Sequence, residues 1–193
     1  MDNKDKIILD LCGGTGAWSK PYKDAGYDVR LITLPEYDVL TYMPPSNIYG
    51  VLAAPPCNCF CRPGARWWND MDSDGRTNYA VKVFRRCYFM AIKTAGVFWA
   101  LENPPGRHMK LMPELPRPSY KISPYLFGHP WEKQTYLWGR FNLFWPTDIV
   151  KPISTKRSPS GHTQGRIAYL SSSSPERTIT PSGLAKAFFE ANQ

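Results

Sequence analysis

Cys57, Cys59 and Cys61 lie within five residues of each other in "AAPPCNCFCRPG" (53–64). Sulfur at that density can hold a metal, form a disulfide or supply a nucleophile. A zinc site takes four ligands, commonly in C-x₂₋₄-C spacing with a second pair. C-x-C-x-C has neither, and His108, His129 and His162 show no ligand pairing, so no metal is expected. One residue between Cys57 and Cys59 strains a disulfide, and the chain's five cysteines are an odd number. A nucleophile is left, against the plain alternative of buried, inert thiols. Two other stretches can take part in chemistry. "VFWALENPPG" (97–106) offers Glu102 and Asn103 just before two prolines. "DLCGGTGAW" (10–18) offers Gly13, Gly14 and Gly16, which permit a tight turn and a close backbone approach to a ligand. The spacing is not G-x-G-x-x-G and no lysine completes a phosphate loop, so a pyrophosphate is not the expected ligand. A packing turn is the plain alternative.

These residues need elements to position them. "KIILDL" (6–11) is a short β-branched apolar run, the glycine turn follows, "SKPYKDAG" (19–26) has helix character, and "YDVRLITL" (27–34) alternates like a strand. Strand, glycine turn, helix and strand open an α/β sheet. "YGVLAAPP" (49–56) and "VFWALENPPG" are further strands that stop at prolines. Between them, 57–75 shows no sustained period and is expected as a long loop, and 75–96 has spacings of three and four and is expected as a helix closed by Gly96. "KQTYLWGRF" (133–141) is a later strand, and "PSGLAKAFFEAN" (181–192) is a terminal helix. In open α/β sheets ligands bind beyond the carboxyl ends of strands. Cys12–Gly16, Pro55–Cys57 and Glu102–Pro104 all fall at such ends, so they can converge on one crevice.

The 193 residues suit a single domain, and 42% hydrophobic residues can build its core without metal or disulfide. No apolar segment looks like a signal region or a membrane span, so a cytoplasmic protein with no membrane partner is expected. The net charge is +8, and half of it comes from residue 151 onward. A basic balance favours a polyanion partner.

"DLCGGTGAW", "AGYDV", "APPC" and "WALENPPGR", in that order, resemble the cytosine-C5 DNA methyltransferases, and in particular their short phage-type members. "KQTYLWGRF" and "RTITPSGLAKAFFEAN" are similar to the closing strand and helix of those proteins. The resemblance implies a Rossmann-like S-adenosylmethionine-dependent methyltransferase sheet with helices on both faces. It also implies S-adenosylmethionine in the glycine crevice, DNA as partner, and a phage or bacterial cytoplasmic setting. Asp10, Cys12, Gly13, Gly14, Thr15, Gly16 and Trp18 would border the methionine and sugar. Glu36 would reach the ribose, Asp38 and Val39 would border the adenine, and Pro55 and Pro56 would wall off the nucleophile. Three departures stand out. The ribose acid comes slightly late. The family's Gln-x-Arg-x-Arg strand reads Gln134-Thr-Tyr-Leu-Trp138, without arginine. A reduced basic, Ser/Pro-rich segment, about 146–180, stands where a large target-recognition domain would be.

Cytosine C5 is a poor nucleophile. A thiolate adding to C6 makes the ring an enamine, and C5 can then attack a sulfonium methyl. Cysteine is soft enough to add and good enough to leave. Cys57 is the candidate nucleophile. Glu102 suits the proton donor at N3 if it holds a proton at that moment, and Asn103 would fix its loop. The reaction needs the base out of the stack. Arg62, Arg66, Lys133 and Arg157 could meet phosphates, and Trp67, with its neighbour Trp68, could stack or wedge. Packing of the tryptophans onto the body is the plain alternative. Cys59 and Cys61 are expected as loop-packing residues, and Arg85 and Arg86 as a solvated helix face. Two other functions remain open. One is a binding protein that keeps the crevice without turnover. The other is a C5 methyltransferase acting on RNA, a free nucleotide or a modified base.

Overall fold

Strand β1 (Ile7–Leu11) is apolar at every position but Asp10, and four of its five residues are buried. A strand covered on both faces reads this way. The computed structural model describes residues 2–130, 133–152, 154–157, 163–165 and 178–193, with the backbone alone at 154–157 and 163–165. β1 pairs in parallel with β2 (Asp28–Ile32) and β3 (Ile48–Ala53), and β3 pairs in parallel with β4 (Phe98–Asn103). β6 (Thr135–Arg140) runs antiparallel to β4, and β5 (Tyr120–Ile122) antiparallel to β6. The order across this six-stranded sheet is β2-β1-β3-β4-β6-β5. β2 lies on one side of β1 and β3 on the other. The chain therefore reverses its direction of travel at β1, which opens a crevice beyond the carboxyl ends of β1 and β3.

Helices cover both faces, as expected for a Rossmann-like α/β fold. Leu9, Leu11, Val51, Ala53 and Leu101 face helix α3 (Arg76–Thr94) through Val83, Phe84, Cys87 and Ala91. Their strand neighbours Ile8, Leu52, Phe98, Ala100 and Leu137 face the other way. There they meet Tyr22 of α1 (Lys20–Asp24) and Leu184 and Phe188 of α5 (Ser182–Ala191). This alternation decides which face each site residue serves.

The main difference from the sequence reading concerns 57–75. It is a 3₁₀ turn over Arg62–Trp67 and a short helix α2 (Trp68–Ser73), not a long loop. Phe60 and Met71 are buried and anchor it, but two apolar anchors eleven residues apart show no period. The short elements α4 (His108–Leu111) and β5 likewise lack enough residues to register a pattern. Within the Ser/Pro-rich stretch, β7 (Ser154–Arg157) and β8 (Thr163–Gly165) form a two-stranded ribbon. The rest of 153–177 lies outside the described residues, so the expected reduced basic segment, about 146–180, is described only in part. No described helix is long and apolar enough to cross a membrane.

Candidate active site

The ends of β3 and β4 are fastened together. Asn103, fully buried, donates from Nδ2 to the Pro55 carbonyl at 2.7 Å. Its Oδ1 accepts from Nε2 of buried His108 at 2.7 Å, because an amide that donates with nitrogen can only accept with oxygen. The Arg107 amide donates to the Phe60 carbonyl at 3.0 Å, and Gly106 pairs with Cys61. A Cβ at Gly106 would run into the Phe60 carbonyl, so only glycine allows this approach. The Arg107 guanidinium donates to the Cys59 carbonyl and to both carboxylate oxygens of Asp72, and it lies 4.4 Å from the Trp68 ring centre. "PPCNCF" and "ENPPGR" thus form one unit, which holds Cys57 and Glu102 at neighbouring strand ends. Arg107 and His108 are organisers that the sequence reading missed. Their signal was their position directly after the Glu-Asn turn.

Cys57 is half-buried. Its thiol hydrogen-bonds with Cys61, which pushes its pKa up; burial and the Glu102 charge act the same way, and the Lys133 charge opposes them. Cys59 is buried in the core on the α3 side of the sheet, as expected of a packing residue. Cys61 instead hydrogen-bonds with Cys57. Glu102 alternates with Asn103, so it projects to the opposite face. There it lines a cavity of about 460 Å³ with Ala17, Ile122, Lys133, Thr180 and Leu184. That volume lies within the usual range for small-ligand sites.

The glycine turn sits beside this unit. Cys12, Gly14 and Gly16 have φ of 56°, 56° and 72°, the left-handed region. A Cβ at Gly13 would collide with the Asp10 carboxylate, whereas one at Gly14 would meet open space. Gly13 is therefore required by packing, and Gly14 by its backbone conformation. Gly14 and Thr15 are exposed, Trp18 is packed on Phe188, and Pro55 is buried with Pro56 exposed. Asp10 lies fully buried beneath the turn. Its Oδ2 accepts from the Ser19 hydroxyl at 2.6 Å, and its Oδ1 has no partner among the described residues. The Gly13 backbone closes this oxygen off from the crevice, and burial shifts the carboxyl toward its protonated form. Cys12 also lies 3.8 Å, sulfur to sulfur, from buried Cys87.

Beyond β2, Glu36 is exposed in a turn. Asp38 accepts at Oδ1 from the Leu40 amide, so it caps its own turn, and Val39 is buried in the core on the α3 side of the sheet. Arg86 departs from the solvated face expected of it. It donates to the carbonyls of Val39 and Tyr42 and pins this loop to α3. Arg85 pairs with Glu114. On the outer side Arg62 and Arg66 are exposed, and the Arg66 guanidinium lies 4.9 Å from the ring centre of exposed Trp67. Trp68 is turned inward under Arg107. The Arg157 side chain lies outside the described residues. Among the described residues no three His, Cys, Asp or Glu side chains gather as a metal site.

Two buried groups make stability depend on pH in opposite senses. Burial lifts the Asp10 carboxyl from 3.8 to about 6. As pH rises through that window the unfolded chain ionises first, so stability falls. Burial lowers His108 from 6.5 to about 4. As pH falls through that window the unfolded chain protonates first, so stability falls in that direction. Each effect is about 3 kcal/mol, and in the wild type they largely cancel. His108→Gln is expected to gain stability on acidification from about pH 6 to 4. Asp10→Asn is expected to lose it over the same range. Urea titrations at stepped pH read both slopes.

No protein-family model matches the chain, and no curated protein matches it. Solved structures do. A candidate DNA modification methyltransferase encoded within an E. coli prophage is similar over 76% of this chain and 52% of its own, with 16% identity and a TM-score of 0.45. The Entamoeba histolytica methyltransferase EhMeth is similar over 90% of this chain and 62% of its own, with 14% identity and a TM-score of 0.44. The chain thus spans 52% and 62% of the length of these two neighbours.

Proposed function

We propose that the crevice at the ends of β1, β3 and β4 transfers a methyl group from S-adenosylmethionine to C5 of cytosine in DNA, through a covalent adduct on Cys57. The observation that carries this reading is the Asn103–Pro55 hydrogen bond, which fastens the Cys57 turn to the Glu102 strand end beside the glycine turn. A soft nucleophile and a carboxyl group at adjacent strand ends suit addition to a conjugated ring.

The cofactor fits the residues present. The left-handed backbone and open side of Gly14 leave room for a ligand to approach the turn closely. Cys12, Gly13, Thr15 and Gly16 would hold the methionine and sugar side. Glu36, in the turn after β2, is the ribose candidate. Asp38, Val39 and Pro55 would border the rest. When bound, S-adenosylmethionine supplies an electrophilic methyl group on a sulfonium.

The chain's own residues then act in order. The Cys57 thiolate adds to C6, and Glu102 gives a proton to N3 as the ring electrons shift. C5 becomes nucleophilic and takes the methyl group. Loss of the C5 proton to water expels the thiolate, and N3 returns its proton to Glu102. Asn103 keeps the two strand ends in register throughout and touches neither reacting atom. Arg62, Arg66 and Trp67, on the exposed outer side of the Cys57 turn, would meet the displaced strand through phosphate contact and stacking.

The test is nucleoside mass spectrometry after incubation with deuteromethyl-labelled cofactor and DNA, RNA or deoxycytidine monophosphate. Labelled 5-methylcytosine from DNA is the expected product. Label in RNA or the mononucleotide alone would move the substrate class. No labelled nucleoside from any of them would remove the transferase reading. The raised pKa of the Cys57 thiol favours one second reading, a binding protein without turnover. Calorimetric cofactor binding with no labelled product would establish it.

A further inference from the structure

No chemical step of the proposed mechanism uses the sulfurs of Cys12 and Cys87, yet they lie 3.8 Å apart although 75 residues separate them in sequence. Cys12 follows the last residue of β1 and opens the glycine turn, and Cys87 lies within α3. Cys12 is half-buried and Cys87 is fully buried. A small reagent from solvent therefore meets the first sulfur before the second. The two ends of the contact also differ in their surroundings. Cys87 is packed in the core with Phe84, Met90 and Ala91 of its own helix. Cys12 has a φ of 56° and leads into Gly14 and Thr15, which are exposed, and a Cβ at Gly14 would meet open space. Room to move lies on the side of the turn. Arg86, the residue before Cys87, already ties α3 to the carbonyls of Val39 and Tyr42. Adjacent residues of one helix thus touch the segment that follows β1 and the segment that follows β2.

We propose that Cys12 and Cys87 are an oxidation site: peroxide joins them in a disulfide, which draws the glycine turn onto α3 and weakens its hold on a ligand. Bonded sulfurs stand about 2 Å apart, so the pair closes by roughly half its present separation. Two thiols give up two electrons and two protons when they join, and hydrogen peroxide accepts both. Its O–O bond breaks as the Cys12 sulfur takes one oxygen, which leaves a sulfenic acid and releases one water. The Cys87 sulfur then attacks the Cys12 sulfur and the S–O bond breaks. The departing hydroxide takes the Cys87 proton and leaves as a second water. The contact with Cys12 and burial push the Cys87 thiol up, so it keeps its proton until that step. Cys57 and Cys61 are the competing pair. Both are half-buried, they hydrogen-bond with each other, and the Cys61 amide donates to the Cys57 carbonyl at 2.9 Å. A bond there would consume the proposed nucleophile, whereas one between Cys12 and Cys87 leaves it intact. The effect on cofactor binding rests on the methyl-transfer reading, and formation of the disulfide does not.

The test is peptide mapping after titration of the folded protein with hydrogen peroxide, with remaining thiols blocked by iodoacetamide in denaturant. Trypsin frees Cys12 within Ile7–Lys23 and Cys87 within Cys87–Lys93, and it leaves the other three cysteines together in one peptide. The expected product is Ile7–Lys23 joined to Cys87–Lys93, lighter than the sum of the two by two hydrogens and separated by dithiothreitol. In calorimetry the bridged protein should bind S-adenosylmethionine at least about tenfold more weakly than the reduced protein, and dithiothreitol should restore the binding. Cys87→Ala should form no bridge to Cys12 and should keep its affinity through the same treatment. Separate Cys12 and Cys87 peptides in the oxidised wild type, with or without a Cys57–Cys61 bridge, would overturn the proposal. So would unchanged affinity in the bridged protein, or an equal loss in Cys87→Ala, which would place the effect on another cysteine. A bridge in a protein whose reduced form binds no S-adenosylmethionine keeps the oxidation site and removes the methyl-transfer reading.

Discussion

If Cys57 is the nucleophile, as proposed, Cys57→Ser should lower methyl transfer at least about a thousandfold and leave cofactor binding within about twofold. The serine hydroxyl is smaller and harder than a thiol, and it stays protonated where a thiol can ionise. Glu102, whose charge acts on this position, is needed by the mechanism as the acid and so does not serve the hydroxyl as a base. The turn itself should survive the change. Its fastenings run through the Pro55 and Phe60 carbonyls and the Cys59 carbonyl, not through the Cys57 side chain. Cys59→Ser and Cys61→Ser retain covalent chemistry. Cys59 is in the core, and Cys61 hydrogen-bonds with Cys57 without standing at the strand end. Rate assays with calorimetry on the three variants separate these outcomes. Loss of cofactor binding in Cys57→Ser would show that the change had disturbed the fold of the crevice.

On the proposed mechanism, Glu102→Gln should lower the rate about 10²- to 10⁴-fold, the usual worth of a positioned proton donor. The amide has nearly the same shape and can still donate a hydrogen bond to N3. It cannot deliver a proton, so charge builds up in the ring as sulfur adds. The effect should fall on kcat with little change in cofactor affinity, because Glu102 lines the cavity and lies on the opposite face from the Asn103 fastening. Removing its charge also relieves one cause of the raised Cys57 pKa. Glu102→Gln should therefore alkylate faster at Cys57 even as it transfers methyl more slowly. A variant that is slow in both assays would instead indicate collapse of the site.

Much of this arrangement was legible in the residues. "KIILDL", "YGVLAAPP" and "VFWALENPPG" end where β1, β3 and β4 end, because apolar β-branched runs stop at glycine or proline. That placed Cys57 and Glu102 at strand ends before any geometry was known. What could not be read is what depends on contacts between distant segments. Nothing in "NPPGRHMK" says that Arg107 reaches Asp72 and the Cys59 carbonyl, or that His108 anchors Asn103. Nothing in "RRC" says that Arg86 turns inward to hold the Val39 and Tyr42 carbonyls while Arg85 pairs outward with Glu114. Trp67 and Trp68 look alike in sequence. One is exposed beside Arg66 and the other lies beneath Arg107, a choice set by the turn from 3₁₀ to α-helix between them. Asp10 reads as an ordinary strand residue next to a glycine turn. Its lone Oδ1 emerges only from the packing of Gly13 over it.

The most direct measurement is covalent trapping by DNA carrying 5-fluorocytosine. Fluorine in place of the C5 proton cannot leave as the proton does, so the adduct persists after the methyl group arrives. Intact mass should rise by one oligonucleotide plus one methyl group, only with S-adenosylmethionine present. Peptide mapping should put the bond on Cys57, and Cys57→Ser should show none. An adduct on another cysteine, or no adduct in a protein shown to bind both cofactor and DNA, would contradict the mechanism.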